Sequence, residues 1–243
     1  MVVKSEIKHI KSLQQKKYRT QNGLFVAEGL KMVSDLLQST LEPFRIYSTD
    51  PEFLENVTYD NLLISPSELK KMSGLRNPNK VIGVFNIPRA APLDCTDWIL
   101  VLDSVRDPGN LGTIIRLCDW YGIGQLVCSK ETVDCYNPKV LQATMGSIAR
   151  VNIVYTTLDT LLAKAEMPVY GAFMGGHSVY EEDFPASGFL VMGNEAQGIS
   201  PALSGRVSRR VGIPPFGGRS NESLNVAMAT AILLHEIRRP IQR

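Results

Sequence analysis

Apolar runs of strand length alternate with amphipathic stretches of helix length along most of this chain, the pattern of α/β layers built on a largely parallel sheet. In the first third, Leu24-Phe25-Val26, Phe44-Arg45-Ile46-Tyr47, Leu62-Leu63-Ile64 and Val81-Ile82-Gly83-Val84-Phe85 read as strands. Helical patterns over residues 5–18, 29–39 and 67–73 separate them, the last opening on Ser65-Pro66, a helix-start signal. The alternation stops at Ile87-Pro88-Arg89-Ala90-Ala91-Pro92, whose prolines disfavour helix and central strand alike. The chain therefore divides into a small α/β unit over residues 1–89, a linker over 90–96 and a second unit over 97–243.

The second unit opens with Trp98-Ile99-Leu100-Val101-Leu102, a continuous apolar run typical of a buried parallel strand. A turn at Asp107-Pro108-Gly109-Asn110 leads into a helix over 111–121 with Leu111, Ile114, Ile115 and Cys118 on one face. Further strands are expected at 126–128, 153–155, 169–173, 189–192 and 210–214, with helices at 138–149 and 158–166. Ser200-Pro201 reads as a capped start of a short helix, and an Ala-rich helix over 224–239 closes the pattern.

Composition narrows the class of protein. With 243 residues, 44% hydrophobic and 21% charged, the chain has a globular composition, not that of a disordered one, and is long enough for one large or two smaller domains. No run approaches the roughly 18–20 apolar residues of a membrane span. Met1-Val2-Val3-Lys4-Ser5-Glu6 places charges where a signal peptide needs an apolar core, so a cytoplasmic protein without a membrane partner is expected. Cys95, Cys118, Cys128 and Cys135 lack the paired short spacing of zinc sites and read as reduced thiols serving as small apolar residues. His9, His177 and His235 are scattered, and no metal is expected. The net charge of +2 is unevenly spread, with residues 1–89 at +4 and the remainder at −2. Lys4, Lys8, Lys11, Lys16, Lys17 and Arg19 crowd the first nineteen residues against Glu6 alone. Such a stretch is a solvated face or a surface for phosphates.

Three loop-to-helix stretches carry the candidate chemistry, each at the expected carboxyl end of a strand, where ligands gather in open α/β sheets. The first is Asn110-Leu111-Gly112-Thr113-Ile114-Ile115-Arg116, in which Asn110 is also an ordinary helix-cap candidate. In the second, Met192-Gly193-Asn194-Glu195-Ala196-Gln197-Gly198-Ile199-Ser200, two glycines allow close backbone approach to a ligand and flank a carboxylate. The third runs through Ile213-Pro214-Pro215-Phe216-Gly217-Gly218 to Ser223-Leu224-Asn225, where Ser223 could simply cap the helix behind it.

Together these stretches closely resemble the three motifs of the SpoU (TrmH-like) family of RNA ribose 2′-O-methyltransferases, over most of residues 97–239. Lys17-Tyr18-Arg19, Gly23-Leu24-Phe25-Val26 and Glu28-Gly29 are similar to the L30e-type substrate-binding domain that many members carry. Gly217-Gly218-Arg219-Ser220-Asn221-Glu222 departs from the resemblance, being longer and more polar than the compact third motif of many members. The resemblance implies an S-adenosylmethionine-dependent enzyme, a trefoil-knotted α/β methyltransferase domain, a homodimer and a ribosomal or transfer RNA substrate. It implies a catalytic set of Asn110, Arg116, Glu195, Ser223 and Asn225, in which Glu195 fixes Arg116 or Asn225. The donor would lie against Met192, Gly193, Ile213 and Leu224, with Gly198 leaving room beside it. Lys11, Lys16, Lys17 and Arg19 would contact RNA, and the final helix, with Ala227, Ala229, Ala231, Ile232 and Leu233, would form the dimer interface or pack within its own monomer. A catalytically silent RNA-binding protein with the same fold is the rival reading. A nucleotide-dependent oxidoreductase is disfavoured, because no Gly-x-Gly-x-x-Gly loop follows residues 98–102.

Overall fold

A computed structural model describes residues 2–217 and 223–239. The chain forms two compact units, Met1–Arg89 with Asp134–Ala149, and Ala90–Val133 with Arg150–Arg243. The first unit thus takes in a segment from well beyond residue 89, a pairing that local sequence pattern does not announce. The stretch read as a linker is held within the second unit, where Ala91 exchanges two hydrogen bonds of 3.0 and 3.1 Å with the Asn152 side chain.

In the first unit, β1 (Leu24–Glu28), β2 (Pro43–Ser48), β3 (Asn61–Leu63) and β4 (Val81–Asn86) form a sheet in the order β1-β4-β2-β3. Only β2 and β3 run parallel; β4 lies between β1 and β2 and opposes both, so the parallel reading fails for this unit. The helix expected over 5–18 is two helices, α1 (Lys4–Ser12) and α2 (Lys16–Asn22). The break has a local cause: the Ser12 hydroxyl bonds back to the His9 carbonyl at 2.6 Å, and Gln15 is extended at φ −101°, ψ 134°. Ile10, Leu13, Val26, Tyr47 and Met72 meet in the core. α3 (Leu30–Leu37) and α4 (Pro51–Glu55) follow β1 and β2, and α4 carries no apolar periodicity that would reveal it. α5 (Pro66–Met72) starts with a full capping box between Ser65 and Glu68, as Ser65-Pro66 predicts.

The added segment carries a helix, α7 (Pro138–Thr144), and a 3₁₀ turn, in place of the one helix that the pattern predicts over 138–149. Met145 enters the left-handed region at φ 51° and ends the helix. The Tyr136 ring packs on Phe25 with centroids 4.7 Å apart, and Arg19 pairs with Asp134.

The second unit holds β5 (Ile99–Leu102), β6 (Gln125–Cys128), β7 (Asn152–Tyr155), β8 (Val169–Ser178), β9 (Phe189–Met192) and β10 (Arg209–Gly212). All pair in parallel, in the order β10-β8-β9-β5-β6-β7. β5 and β9 are buried throughout, which explains their unbroken apolar runs. The chain moves outward from β5 to β6 and β7 and then crosses to β8 on the other side, so the β5/β9 boundary is the switch point where such sheets bind ligands. β8 is longer than its apolar stretch: β10 pairs with Gly171 and next with His177, leaving residues 172–176 bulged out of the ladder. α6 (Pro108–Trp120) buries Leu111, Ile114, Ile115 and Cys118, and packs beside α10 (Val226–Arg238). α8 (Leu158–Leu162) and α9 (Pro201–Ser204) complete the layer. Arg238 fastens α10 by two bonds to Asp97, at 2.8 and 2.7 Å, and by bonds to the Tyr121 and Gly122 carbonyls. Burial is the largest influence and would raise the Asp97 carboxyl, but the bonds from Arg238 and from the Trp98 N–H, with the Arg238 charge, together outweigh it and hold the group below its usual range.

Cys118, Cys128 and Cys135 are buried as expected, whereas Cys95 is exposed. Burial pushes the Cys118 thiol well above its ordinary value, so it stays protonated.

Candidate functional site

Asp107, not Asn110, caps α6: its Oδ1 accepts from the Asn110 backbone N–H at 2.8 Å, with Pro108 in the first turn. This corrects the capping reading and leaves the Asn110 side chain free for other partners. Its amide nitrogen donates to Glu195 Oε1 at 3.0 Å, and its oxygen accepts from Asn225 Nδ2 at 2.9 Å. Three residues from the three separate motifs are thereby joined in one chain of hydrogen bonds. Glu195 engages Asn110 here, in place of the expected bond to Arg116 or Asn225.

The loop that carries Glu195 is shaped by Asn194, which the sequence reading passed over. Its Oδ1 accepts from the N–H groups of Ala196 and Gln197, and its Nδ2 donates to the Ser104 carbonyl at 2.7 Å. Backbone bonds of 2.9 Å in both directions between Asn194 and Gly198 close the loop. A Cβ on Gly193 would lie 2.2 Å from the Gly198 carbonyl carbon, and Gly198 itself sits at φ +68°. These two glycines therefore serve the closure of their own loop, a different need from the ligand approach expected of them. Ser200 begins α9 without a side-chain cap; its backbone N–H donates to buried Asp103 at 2.7 Å, tying the loop to the end of β5.

The third motif supplies a cap of its own. Asn225 Oδ1 accepts from the N–H groups of Ala227 and Met228, at 2.9 and 3.3 Å, so Asn225 caps α10 in the role considered for Ser223. One side chain thus fixes the helix start with its oxygen and Asn110 with its nitrogen. Ser223 and Leu224 line a cleft of about 430 Å³, including its open mouth, together with Ile213, Phe173 and Leu233. The bulge of β8 forms one wall. Of the five residues expected against the donor, Ile213 and Leu224 line this cleft; Met192 is buried at the end of β9, and Gly193 and Gly198 build the adjoining loop. Apolar side chains beside the backbone of 172–174 and 211–213 suit an aromatic base held by main-chain hydrogen bonds. The segment from Gly218 to Glu222, whose sequence departs from the compact third motif, lies outside the described residues.

Arg116 is not brought into the Glu195–Asn110–Asn225 chain. Six residues after Asn110 on the same helix, it projects about 120° away around the axis. It is exposed, as are Thr113 and Trp120 on its own side of α6, and it forms no ion pair among the described residues. The basic residues of the first unit also separate. Lys11, Lys16 and Lys17 are exposed. Arg19 is 3% exposed and donates to the carbonyls of Leu13 and Gln14, at 2.8 and 2.9 Å, and to Asp134, so four of its five N–H donors are taken and its head is buried away from RNA. A lone arginine among surface lysines gives no local sign of this burial.

Among the described residues no helix is long and apolar enough to cross a membrane, and no cluster of His, Cys, Asp and Glu could hold a metal ion.

Comparison with known proteins agrees with the arrangement. The profile of the SpoU rRNA Methylase family matches residues 97–235, and that of the MRM3-like substrate binding domain matches residues 4–83. The 23S rRNA (guanosine(2553)-2′-O)-methyltransferase RlmP of Bacillus subtilis is 32% identical over 241 residues, covering 96% of each chain. A putative RNA methyltransferase of the TrmH family from Porphyromonas gingivalis superposes with a TM-score of 0.91 at 36% identity, over 99% of both chains. An AdoMet-bound rRNA methyltransferase from Sinorhizobium meliloti does so with a TM-score of 0.86 at 30% identity, over 99% of this chain and 97% of that one.

Proposed function

The chain belongs to the SpoU rRNA methylase family, and from that premise we propose that it moves a methyl group from S-adenosylmethionine to a ribose 2′-hydroxyl of structured RNA. The observation that carries this reading is the Glu195–Asn110–Asn225 hydrogen-bond chain beside the apolar cleft of Ile213 and Leu224. The donor brings its methyl on a sulfonium cation, so the electrophile needs no metal. The nucleophile is the harder partner, because a ribose hydroxyl is a very weak acid and must lose its proton as it attacks. Asn110, held at both ends of its amide, offers a second N–H and a second lone pair in fixed directions to orient that hydroxyl. Ser223 and Asn225 complete the wall on the cleft side. A guanidinium is a poor base, so Arg116 grips the neighbouring phosphate instead, and that phosphate or a water takes the proton.

Ribosomal RNA is the first substrate to test, since the Bacillus subtilis relative is a 23S rRNA methyltransferase, and transfer RNA is the second. Lys11, Lys16 and Lys17 of the first unit would hold the RNA backbone. The same reading makes the protein a cytoplasmic homodimer with a trefoil knot in its second unit. Exposed Trp120 on α6 and exposed Met228 on the neighbouring α10 support a subunit contact there, while Ala227 and Leu233 of α10 are buried in their own monomer. Light scattering of the purified chain tests the dimer.

Calorimetry with S-adenosylmethionine and transfer of labelled methyl to a 23S rRNA transcript test the activity. Donor binding and transfer are expected, with Arg116→Ala abolishing transfer but leaving donor binding near wild type. An inert wild-type protein would leave the silent RNA-binding reading in its place.

A further inference from the structure

The first unit contains a cleft of about 600 Å³, including its open mouth, between the start of α3 and the end of the 138–144 helix. Its composition is unusual for a surface hollow. Leu30 and Met145 face it while 39% and 48% exposed, and beside them stand Asn79, Gln142 and Lys31, all exposed. Neither amide side chain has a hydrogen-bond partner among the described residues, so both keep donors and acceptors free. Glu28, the carboxylate in the lining, is occupied by the Gly74 N–H at 2.8 Å and by the Ser73 hydroxyl.

The backbone around the cleft is held in costly conformations. Lys80, next to Asn79, has φ 45°, and Met145 has φ 51°. Neither is glycine, and strain of this kind persists where the surrounding structure enforces it. At Met145 it turns an apolar side chain toward solvent, so core packing does not explain it. Lys31 in the lining, and Lys139 on the helix face of Gln142, are exposed and form no ion pair among the described residues, while the Asp35 carboxylate lies by Gly146 on the Met145 side.

We propose that this cleft receives one unstacked base of the substrate RNA. The base would lie against Leu30 and Met145, with the Asn79 and Gln142 amides at its edge and Lys31 on the adjoining phosphate. Proteins read single-stranded RNA by covering the base face, mostly with aromatic rings, bonding its edge and holding its phosphate; here the aliphatic Leu30 and Met145 cover the face, the amides meet the edge and the lysine meets the backbone. The inference rests on the RNA substrate proposed above and adds a recognition pocket apart from the residues that handle the ribose.

The test uses the full chain and a 23S rRNA transcript containing 4-thiouridine. Photocrosslinks are expected within residues 28–32 or 139–146. Leu30→Ala and the double variant Asn79→Ala/Gln142→Ala should raise KM for the transcript roughly tenfold, the scale of one lost apolar contact or a pair of lost hydrogen bonds, with kcat and S-adenosylmethionine affinity unchanged. The amide pair is exposed and unpartnered, so its loss should leave the fold intact. Wild-type KM in both variants, or crosslinks confined to residues 4–22, would overturn the pocket while leaving the methyltransferase reading in place. A wild-type protein that binds donor but no RNA would overturn the substrate reading and the pocket together.

Discussion

Asn110 shows how much one amide does at this site. Its nitrogen donates toward Glu195 while its oxygen accepts from Asn225, a division of labour that the carboxylate of the same shape cannot supply. Asn110→Asp keeps the shape and the acceptor for Asn225 but sets a second carboxylate against Glu195. Transfer should fall by roughly a hundredfold or more, as for loss of a single preorganised donor, with donor affinity and melting temperature little changed. Single-turnover kinetics on the transcript would read this, and near wild-type turnover would remove Asn110 from the site. A second residue-scale expectation concerns Glu68, held down to about 2 by the Ser65 backbone N–H, the Ser65 hydroxyl and the Val2 N–H. Its folded value lies below its unfolded one, so its contribution is present above about 4.5 and fades as pH falls toward 2. The melting-temperature gap between wild type and Glu68→Gln should therefore be widest at neutral pH and narrow through that window.

At the scale of elements, sequence pattern located nearly every strand of the parallel sheet because β5, β6 and β9 are buried on both faces and leave unbroken apolar runs. It fell short where partners distant in sequence set the outcome. The second half of β8 has no apolar signature, since residues 172–176 are bulged and register resumes only at His177. The antiparallel placement of β4 depends on pairing that no local window contains. Motif positions were legible, yet their assignments were exchanged: Asp107 caps in place of Asn110, Asn225 in place of Ser223, and Asn194 holds the loop. Asn, Asp and Ser all cap well, so only geometry separates them. The role of Gly193 follows from the same geometry and can be tested. In Gly193→Ala the new methyl meets main chain at 2.2 Å, which no rotamer change can relieve. The variant should lose about 1–3 kcal/mol of stability, measured by denaturant titration, together with transfer, because Glu195 rides on the displaced loop. A variant as stable and active as wild type would show that the loop closes by another route.

At the scale of the whole molecule, the chain is cut at residue 89, within its proline-rich stretch, but that one cut does not separate the two units. Residues 134–149 lie in the middle of the family-matched region yet belong to the first compact unit, through the Tyr136–Phe25 ring contact and the Arg19–Asp134 ion pair. A fragment starting at Ala90 would keep this segment and lose what it packs on, uncovering the Tyr136 ring and leaving Asp134 without its arginine. Loss of RNA binding by such a fragment would mix a missing contact surface with a damaged fold. In the full chain, Lys16→Ala/Lys17→Ala removes exposed charge alone and should lower the salt dependence of RNA binding by about one unit per lost phosphate contact, with melting unchanged. Arg19→Ala strands a mostly buried carboxylate and two carbonyls and should cost about 3 kcal/mol. Amide exchange should then quicken across 134–149 while β5 and β9 stay protected. If Arg19→Ala instead weakened RNA binding at unchanged stability, the buried pairing with Asp134 would not describe the protein in solution, and residues 134–149 would have to be returned to the second unit.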